Sequence, residues 1–382
     1  MSSTAAIAVD SLSKSYADET VLQEVSFAVE TGEFCVVMGP SGSGKSTLLG
    51  CIAGLVEHDA GTVRLNGEST ETVPVRSRNL GYVFQEFEDT LFPHMTVREN
   101  VAFGLKQQDA DHDQAEVNRR IDEMLELLAI PDTRESLPTE LSGGQQQRVE
   151  LARQLVRQTD ILLLDDPLAD LDYKLQKRME LEMRDIHAEM NSSFLYVTHN
   201  QDQALKLADK LVVLNRGRVE QIGTPEEVYY RPASAFVGRF VGDSNPFVGA
   251  VTADNEAKEG VNVETGIGRM AATVQGGHPA DDRRALAMVR PESVAFDSAA
   301  EDHDNVFSAR LIDWTYMGEE TEYAFELDGL DYVLQAVSRG TPAVTEADLG
   351  ATVPVGWDRA DTLCFETVSS APTVTVDDLM RV

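Results

Sequence analysis

The sequence predicts two domains, an α/β domain with a helical insertion and a small C-terminal β-barrel or sandwich. The first observation is a series of short apolar runs before residue 240, several of them continuous rather than alternating. Continuous runs are typical of strands that are buried on both faces of a sheet with helices around it. The second observation is a helical pattern within residues 86–160, and the third is a set of short alternating runs after residue 241.

The α/β domain is expected over residues 1–240, with a helical subdomain at about 86–160. Its predicted strands are Ala6–Val9, Phe34–Met38, Leu80–Phe84, Ile161–Asp165, Phe194–Thr198 and Leu211–Leu214. The segment Val117–Ala129 has apolar residues at helical spacing, and it follows the polar, acidic stretch Gln107–Gln114. This change of period inside a strand-rich region indicates helices inserted into an α/β fold.

The C-terminal domain is expected over residues 241–382, where the chain is rich in Val, Thr, Gly and Asp. Its alternating runs are Ala285–Val289, Glu322–Leu327, Tyr332–Val337 and Val353–Trp357. Short strands of this kind, separated by turn residues, are typical of a small barrel or sandwich.

The chain is strongly acidic, with 65 acidic and 32 basic residues and a net charge of −33. The acidic residues are dispersed along the sequence rather than gathered in one tail. An acidic partner-binding face is one interpretation. Dispersed charge favours instead a solubility adaptation to a salt-rich cytoplasm, as in extreme halophiles, because salt screens the self-repulsion. The same charge argues against nucleic acid as the main partner, since phosphate binding needs a basic surface.

The cysteines and the apolar runs are informative about the cellular location of the chain. Cys35, Cys51 and Cys364 are far apart, which suggests reduced intracellular thiols. The segment Met1–Ala8 lacks the basic region and the apolar core of a signal peptide. No apolar run reaches the roughly 18 residues that a membrane-spanning helix needs. If the chain serves transport, we expect the membrane channel to be another polypeptide.

The sharpest motif is a phosphate-binding loop, which matches G-x-x-x-x-G-K-[ST] between a predicted strand and a predicted helix, Thr47–Leu55. The candidate ATP-binding residues here are Gly39, Pro40, Ser41, Gly42, Ser43, Gly44, Lys45, Ser46 and Thr47. The glycines let backbone N–H groups turn toward phosphate oxygens, and the helix adds the positive end of its dipole. We expect Lys45 to reach the β- and γ-phosphates of ATP, and the Ser46 hydroxyl to bind Mg²⁺.

The strand Ile161–Asp165 ends in a carboxylate. In proteins with such a loop, a buried strand that ends in Asp places its carboxylate beside the metal. Many strands end in Asp, so the prediction that Asp165 binds Mg²⁺ depends on its pairing with the loop.

The run Leu141–Arg148 reads Leu-Ser-Gly-Gly-Gln-Gln-Gln-Arg. It resembles the LSGGQ signature of the ABC ATPase family, a glycine-rich helix N-terminus suited to a phosphate group. The resemblance implies an α/β P-loop NTPase fold of ABC type. It also implies that Ser142, Gly143, Gly144 and Gln145 face the γ-phosphate of ATP on the opposite subunit, so that two ATP molecules lie within a head-to-tail homodimer.

Other positions resemble the family in the same order along the chain. Tyr16 is similar to the aromatic residue that stacks on adenine. Gln85 is similar to the glutamine that senses Mg²⁺ and the attacking water, which implies catalytic and metal-binding roles. The segment Ala169–Asp172 resembles the loop that crosses the dimer. His199, after the predicted strand Phe194–Thr198, resembles the catalytic histidine that contacts the γ-phosphate.

One catalytic position departs from the family pattern. The family usually has Glu after the strand-end Asp, where it polarises the attacking water, and this chain has Asp166. The Asp side chain is shorter by one methylene, so its carboxylate lies about 1 Å or more farther back unless the backbone adjusts. We expect reduced hydrolysis with Asp166 as the polarising base. A regulatory ATP-binding clamp with little hydrolysis is an alternative.

The remaining motifs point to the importer branch. The segment Leu91–Val101 resembles the importer region that touches the permease, although Phe92 and Met95 in it could equally be core residues. Met288–Glu292 resembles part of the TOBE extension, which implies that the C-terminal domain is an OB-like β-barrel. The branch implies a separate integral-membrane permease, an extracytoplasmic solute-binding protein as indirect partner, and a location at the cytoplasmic face of the cell membrane.

The substrate is not encoded in this chain. The Leu-Phe-Pro-His form favours iron, oxoanion or polyamine importers over sugar importers. A soluble ABC ATPase of repair or translation is a rival, but such proteins typically carry two nucleotide domains, long coiled coils or zinc cysteines.

Overall fold

The computed structural model describes residues 5–17, 19–84, 90–106, 113–169, 172–190, 192–253, 260–275, 284–329, 333–340, 344 and 346–366. The chain divides into two compact units after Pro225. Residues 226–240 therefore belong to the second compact unit, although the sequence suggested a boundary at residue 240. No helix in the described part of the chain is long and apolar enough to cross a membrane.

Two sheets are present in the part of the first unit that the structure describes. Its strands are β1 Ala5–Tyr16, β2 Glu19–Glu30, β3 Phe34–Met38, β4 Ala60–Leu65, β5 Glu68–Ser69, β6 Leu80–Val83, β7 Ile161–Asp165, β8 Ser193–Thr198, β9 Lys210–Asn215 and β10 Arg218–Gly223. One sheet is antiparallel, with the order β2-β1-β4-β5, and the other has the order β10-β9-β3-β8-β7-β6. In the second sheet every neighbouring pair is parallel except β10 with β9.

The helices of the first unit are α1 Lys45–Ala53, α2 Val97–Lys106, α3 Gln114–Leu127, α4 Gly143–Leu155, α5 Tyr173–Glu189 and α6 Gln201–Leu207, and α7 Pro225–Tyr230 begins at its end. Helices α2, α3 and α4 pack against one another between β6 and β7. This is the helical insertion that the sequence predicted.

Strands β3, β7 and β8 are buried along their whole length, which is the reason their sequences are continuously apolar. Helix α1 buries Leu48, Leu49 and Ile52 against this sheet region. Each such side chain contributes about 1.5–3 kcal/mol to folding when fully buried.

The register of the parallel strands sets the position of the loops that follow them. Met38 at the end of β3 pairs with Thr198 at the end of β8, and Asp165 at the end of β7 pairs with Val197. The chain segments after β3, β7 and β8 therefore leave the sheet at one edge. The phosphate loop, Asp166 and His199 all begin there.

The described residues of the second unit form α8 Ala235–Phe240 and ten strands. They are β11 Asn245–Ala253, β12 Gly260–Thr265, β13 Gly268–Val274, β14 Arg284–Val289, β15 Ala295–Phe296, β16 Asn305–Tyr316, β17 Glu320–Glu326, β18 Leu334–Arg339, β19 Thr352–Trp357 and β20 Leu363–Phe365. Strands β11-β12-β13-β20-β14 close into a barrel, and β15-β19-β16-β17-β18 form a second, five-stranded sheet. The predicted barrel is confirmed, and the second sheet is an addition to it.

Arg290, in the segment that resembles the TOBE extension, is a buried organising residue of the second unit. Its guanidinium donates to the carbonyl oxygens of Gly238 at 2.7 Å, Asp243 at 2.8 Å and Tyr229 at 3.0 Å. It also lies 4.3 Å from the centre of the Tyr229 ring, whose hydroxyl bonds Glu292 at 2.5 Å. The motif thus joins the helical segment after Pro225 to the barrel.

Candidate nucleotide-binding site

The phosphate loop runs from the end of β3 into α1, and two of its glycines are required by geometry. A Cβ atom on Gly39 would lie 2.1 Å from the carbonyl oxygen of Leu214, so no side chain fits there. Gly44 caps α1 with a φ of 99°, in the left-handed region that favours glycine. The loop is therefore a narrow, glycine-dependent turn at a helix N-terminus, the arrangement that binds phosphate groups.

Lys45 lies over this loop. Its Nζ donates to the carbonyl oxygens of Gly39 at 2.8 Å and Pro40 at 2.9 Å. Burial lowers the pKa of Lys45, and the nearby carboxylates of Asp166 and Asp165 oppose that shift. The ammonium group is hydrogen-bonded to the loop and is influenced by two acidic side chains, and at this place it can neutralise phosphate charge.

Ser46 and Asp165 are brought together as the sequence predicted. The Ser46 hydroxyl donates to Asp165 Oδ1 at 3.1 Å, and the Tyr82 hydroxyl donates to Asp165 Oδ2 at 3.4 Å. Burial is the main cause of a raised pKa at Asp165. A hydroxyl and a carboxylate within hydrogen-bond distance are hard oxygen donors of the type that Mg²⁺ uses at phosphate sites. The donor set fits this metal.

Asp166 directly follows β7 in an unusual backbone conformation. Its φ is 45°, a left-handed value that costs a non-glycine residue about 1 kcal/mol. Its backbone N–H donates to the Val197 carbonyl at 2.9 Å, which ties the turn to β8. The residue is 6% exposed, and its carboxylate lies beside Thr198 and His199 at the end of β8.

Each carboxylate oxygen of Asp166 has its own neighbour. Thr198 Oγ1 donates to Oδ1 at 3.1 Å, and His199 Nδ1 lies 2.5 Å from Oδ2. A carboxylate without a proton only accepts, so with that form of Asp166 the contact requires the His199 tautomer that carries its proton on Nδ1. The His199 side chain is 60% exposed, which leaves its other ring nitrogen accessible from solvent.

The signature residues form the N-terminus of α4. Ser142 is the N-cap, and its Oγ accepts from Gln145 N at 3.4 Å while Gln145 Oε1 accepts from Ser142 N at 2.9 Å. This reciprocal capping fixes the glycine-rich first turn, Gly143 and Gly144. Within the described part of the chain, these residues make no hydrogen bond to the phosphate loop.

Of the other predicted site residues, some are among the described residues and some are not. Tyr16 is 49% exposed at the end of β1, with Lys14 Nζ 5.2 Å from its ring centre. Gln85 lies outside the described residues, as do Asp170 and Leu171 of the Ala169–Asp172 loop. Asp172, the last residue of that loop, caps α5 by accepting from Leu175 N at 3.1 Å.

The segment that resembles the permease-contacting region folds around a buried side chain, Asn100. Its amide donates to the carbonyl oxygens of Phe92 and Met95, at 3.1 and 3.0 Å. The Phe92 ring packs edge-on against Phe103 with centres 4.6 Å apart. Phe92 and Met95 are both partly exposed. Packing therefore accounts for part of their surface and leaves part of it accessible.

Sequence reasoning missed Tyr82 and Thr198 as neighbours of the acidic pair, and Gln203 as a neighbour of Thr198. Tyr82 contacts Asp165, and Thr198 contacts both Asp166 and Gln203. The available signal was position, because Tyr82 lies in a strand next to β7 and Thr198 immediately precedes His199. Without the register of the strands, Tyr82 and Thr198 cannot be distinguished from ordinary strand residues.

With this sheet order, this loop and these strand-end side chains, the protein falls in the class of P-loop nucleoside triphosphatases. Comparison with known proteins narrows the class. The family described as ABC transporter matches residues 22–169, and the TOBE domain family matches residues 287–365.

Curated relatives match nearly the whole chain. The spermidine/putrescine import ATP-binding protein PotA of Thermobifida fusca (strain YX) is 39% identical over 92% of this chain and 91% of that protein. The protein of the same name from Haemophilus influenzae (strain 86-028NP) is 35% identical, over 92% and 94%. The chain belongs to the ABC transporter family as the ATP-binding subunit of an importer. It is an ATPase coupled to transport.

Solved structures agree with this assignment over part of the chain. A dimeric bacterial ABC transporter cassette is 30% identical with a TM-score of 0.53, covering 57% of this chain and 98% of that one. A dimeric structure of an ATP-binding cassette in a post-hydrolysis state, bound to ADP and Pi, is 29% identical, with the same TM-score and the same coverage of both chains.

Proposed function

We propose that this subunit binds ATP with Mg²⁺ at the phosphate loop and drives polyamine import through a separate membrane permease. The observation that carries the catalytic part is the convergence of Lys45, the Ser46–Asp165 pair and the Asp166–His199 pair at one edge of the sheet. The near full-length similarity to spermidine/putrescine import proteins supports the polyamine part.

The loop residues Gly39–Thr47 bind the phosphates, with backbone N–H groups and the Lys45 ammonium as donors. Ser46 and Asp165 hold Mg²⁺, together with Gln85, whose position lies outside the described residues. When bound, Mg²⁺ neutralises charge on the phosphate oxygens. Tyr16 stacks on the adenine.

Hydrolysis is phosphoryl transfer to water. Asp166 accepts a hydrogen bond from the attacking water and polarises it, and Lys45 stabilises the charge on the transferred group. His199 presents its exposed ring nitrogen to the γ-phosphate while Nδ1 holds Asp166. These residues act by position and charge, and no covalent intermediate is needed.

The functional unit is a head-to-tail homodimer. The first turn of α4, Ser142–Gln145, is held by its own capping box at a helix N-terminus, a type of site that binds phosphate, and this supports a role in contacting ATP from the other subunit. Each ATP then lies between the phosphate loop of one subunit and the signature turn of the other. ATP favours the closed dimer by its higher affinity for that state.

The permease docks on the helical subdomain near the partly exposed Phe92 and Met95, at the cytoplasmic face of the membrane. An extracytoplasmic solute-binding protein delivers the substrate to the permease and contacts this chain only indirectly. The C-terminal domain, 241–382, acts in dimerisation or regulation. The dispersed acidity suits a salt-rich cytoplasm.

Reconstitution tests the assignment. The chain is assembled in proteoliposomes with the permease and solute-binding protein encoded beside its gene, and phosphate release is measured with candidate substrates. We expect putrescine or spermidine to stimulate hydrolysis and to accumulate in an ATP-dependent manner, and Lys45→Ala to abolish both. Stimulation by iron(III), an oxoanion or a sugar instead would reject the polyamine assignment and leave the ATPase assignment intact.

A further inference from the structure

Thr198 is a buried residue that contacts the proposed catalytic carboxylate from the neighbouring strand. It ends β8, is fully buried, and pairs in register with Met38, the residue before the phosphate loop. A β-branched side chain in a strand has few rotamers, so its hydroxyl is held in one direction. Thr198 therefore has a fixed position relative to the loop that binds the phosphates.

The hydrogen bonds of the Thr198 hydroxyl favour donation to Asp166. The oxygen accepts the backbone N–H of Asn200 at 3.0 Å. Its single proton has two acceptors within reach, Asp166 Oδ1 at 3.1 Å and Gln203 Oε1 at 3.2 Å. Gln203 Oε1 already accepts from the Tyr196 hydroxyl at 2.8 Å. An ionised carboxylate is the stronger acceptor, so the proton is directed to Asp166.

The contact answers a problem created by the short acid. An aspartate side chain cannot reach as far as a glutamate side chain. Its ability to polarise the attacking water therefore depends on a carboxylate that keeps one orientation. The left-handed backbone at Asp166 and the bond from its N–H to Val197 set the starting direction of the side chain. The Thr198 and His199 contacts then fix one oxygen each.

We propose that Thr198 is a positioning residue for hydrolysis, which acts by holding the Asp166 carboxylate through its hydroxyl. The proposal rests on Asp166 being the residue that polarises water. Tyr196 supports this role, because its hydroxyl donates to the competing acceptor, Gln203 Oε1. Thr198 itself touches neither ATP nor the attacking water in this scheme, so its effect is transmitted through Asp166.

The first experiment compares Thr198→Val, Thr198→Ser and the wild-type full chain in ATP turnover. Val keeps the shape and removes the hydroxyl, and we expect kcat to fall about 10- to 100-fold, the usual effect of losing a bond to a charged group. We expect KM for ATP to change less than about twofold, and Ser to retain kcat within about threefold. An unchanged kcat in Thr198→Val, or an equal fall in Val and Ser, would overturn the proposal.

Thr159 provides a matched control, because it is also buried and its hydroxyl donates at 3.0 Å to the carbonyl of Ile161, at the opposite end of β7. Thr159→Val should lower the melting temperature and leave kcat unchanged. If Thr198→Val does not fold, Thr198→Ala replaces it, with the melting temperature measured in each case. If kcat falls in proportion to the melting temperature in both the Thr198 and the Thr159 variants, the proposal is overturned.

A double-mutant cycle separates this role from a general structural one. Residual hydrolysis is measured at high enzyme concentration in Asp166→Ala with and without Thr198→Val. When Asp166 is replaced by Ala, we expect Thr198→Val to cause no further loss of the hydrolysis rate. A further loss as large as the one that Thr198→Val causes in the wild-type background would overturn the proposal. An undiminished rate in Asp166→Ala would instead reject the proposed function of Asp166, which distinguishes the two failures.

Discussion

His199 Nδ1 lies 2.5 Å from Asp166 Oδ2, and the two residues follow adjacent parallel strands. The pair joins the residue proposed to polarise water to the residue proposed to contact the γ-phosphate. A displacement of either side chain would therefore displace the other. Substitutions at this pair should alter turnover more than ATP binding.

Asp166 is the first position to test. Asp166→Ala should reduce kcat by about 100-fold or more, the usual contribution of a positioned base. Asp166→Glu should raise kcat above wild type, because the longer side chain reaches about 1 Å farther. Steady-state phosphate release measures both, with the exposed Asp132→Asn as control. A Glu variant that is no faster would mean that the geometry already compensates.

Asp165 should control the metal dependence of nucleotide binding. Asp165→Asn removes the charge that faces Ser46, so we expect Mg²⁺-dependent tightening of ATP binding to weaken by about tenfold or more. Titration of a fluorescent ATP analogue with and without Mg²⁺ measures this. Asp160→Asn, just before the other end of β7, is the control, and equal effects at both positions would contradict the assignment.

Arg290 should be important for the stability of the second unit. Arg290→Met leaves three carbonyl oxygens without their donor, and we expect the free energy of unfolding to fall by about 3 kcal/mol or more. Both tryptophans, Trp314 and Trp357, lie in this unit, so intrinsic fluorescence in a denaturant titration reports on it. The exposed Arg269→Met should have little effect. Equal losses in the two variants would argue against this role.

Salt should stabilise the protein. A net charge of −33 repels itself, and the Debye length falls to about 3 Å at 1 M salt. We expect the melting temperature and the ATPase rate to rise from low salt toward molar KCl. Sucrose at equal osmolality serves as an uncharged control. A melting temperature that is highest at low salt would contradict the halophilic interpretation.

The sequence predicted the parts of the site that depend on short-range spacing. The phosphate loop is a run of consecutive residues, and Asp165 directly follows an apolar run. Both patterns can therefore be recognised from the sequence without knowledge of which strands pair. The continuous apolar runs of β3, β7 and β8 similarly identified a sheet buried on both faces.

Contacts that depend on pairing could not be predicted in this way. Thr198 meets Asp166 only because β7 and β8 pair with Asp165 opposite Val197. The predicted strand Ala6–Val9 is part of a much longer β1, whose register shifts against β2 interrupt the simple alternation of apolar residues. In the C-terminal region, the strand runs were recognised, but their partition into a barrel and a separate sheet depends on which strands pair over long distances.

The position of α2, α3 and α4 between β6 and β7 has a consequence for protein engineering. The alignment of Asp165 with Val197 is set by hydrogen bonds within the sheet, while the inserted helices are joined to the sheet by packing of α4 against β6. A graft of the helical segment must therefore keep the side chains of that α4–β6 contact. Exchanging the segment in this way for the corresponding segment of another importer should redirect which permease is recognised while the hydrolytic strand ends keep their spacing.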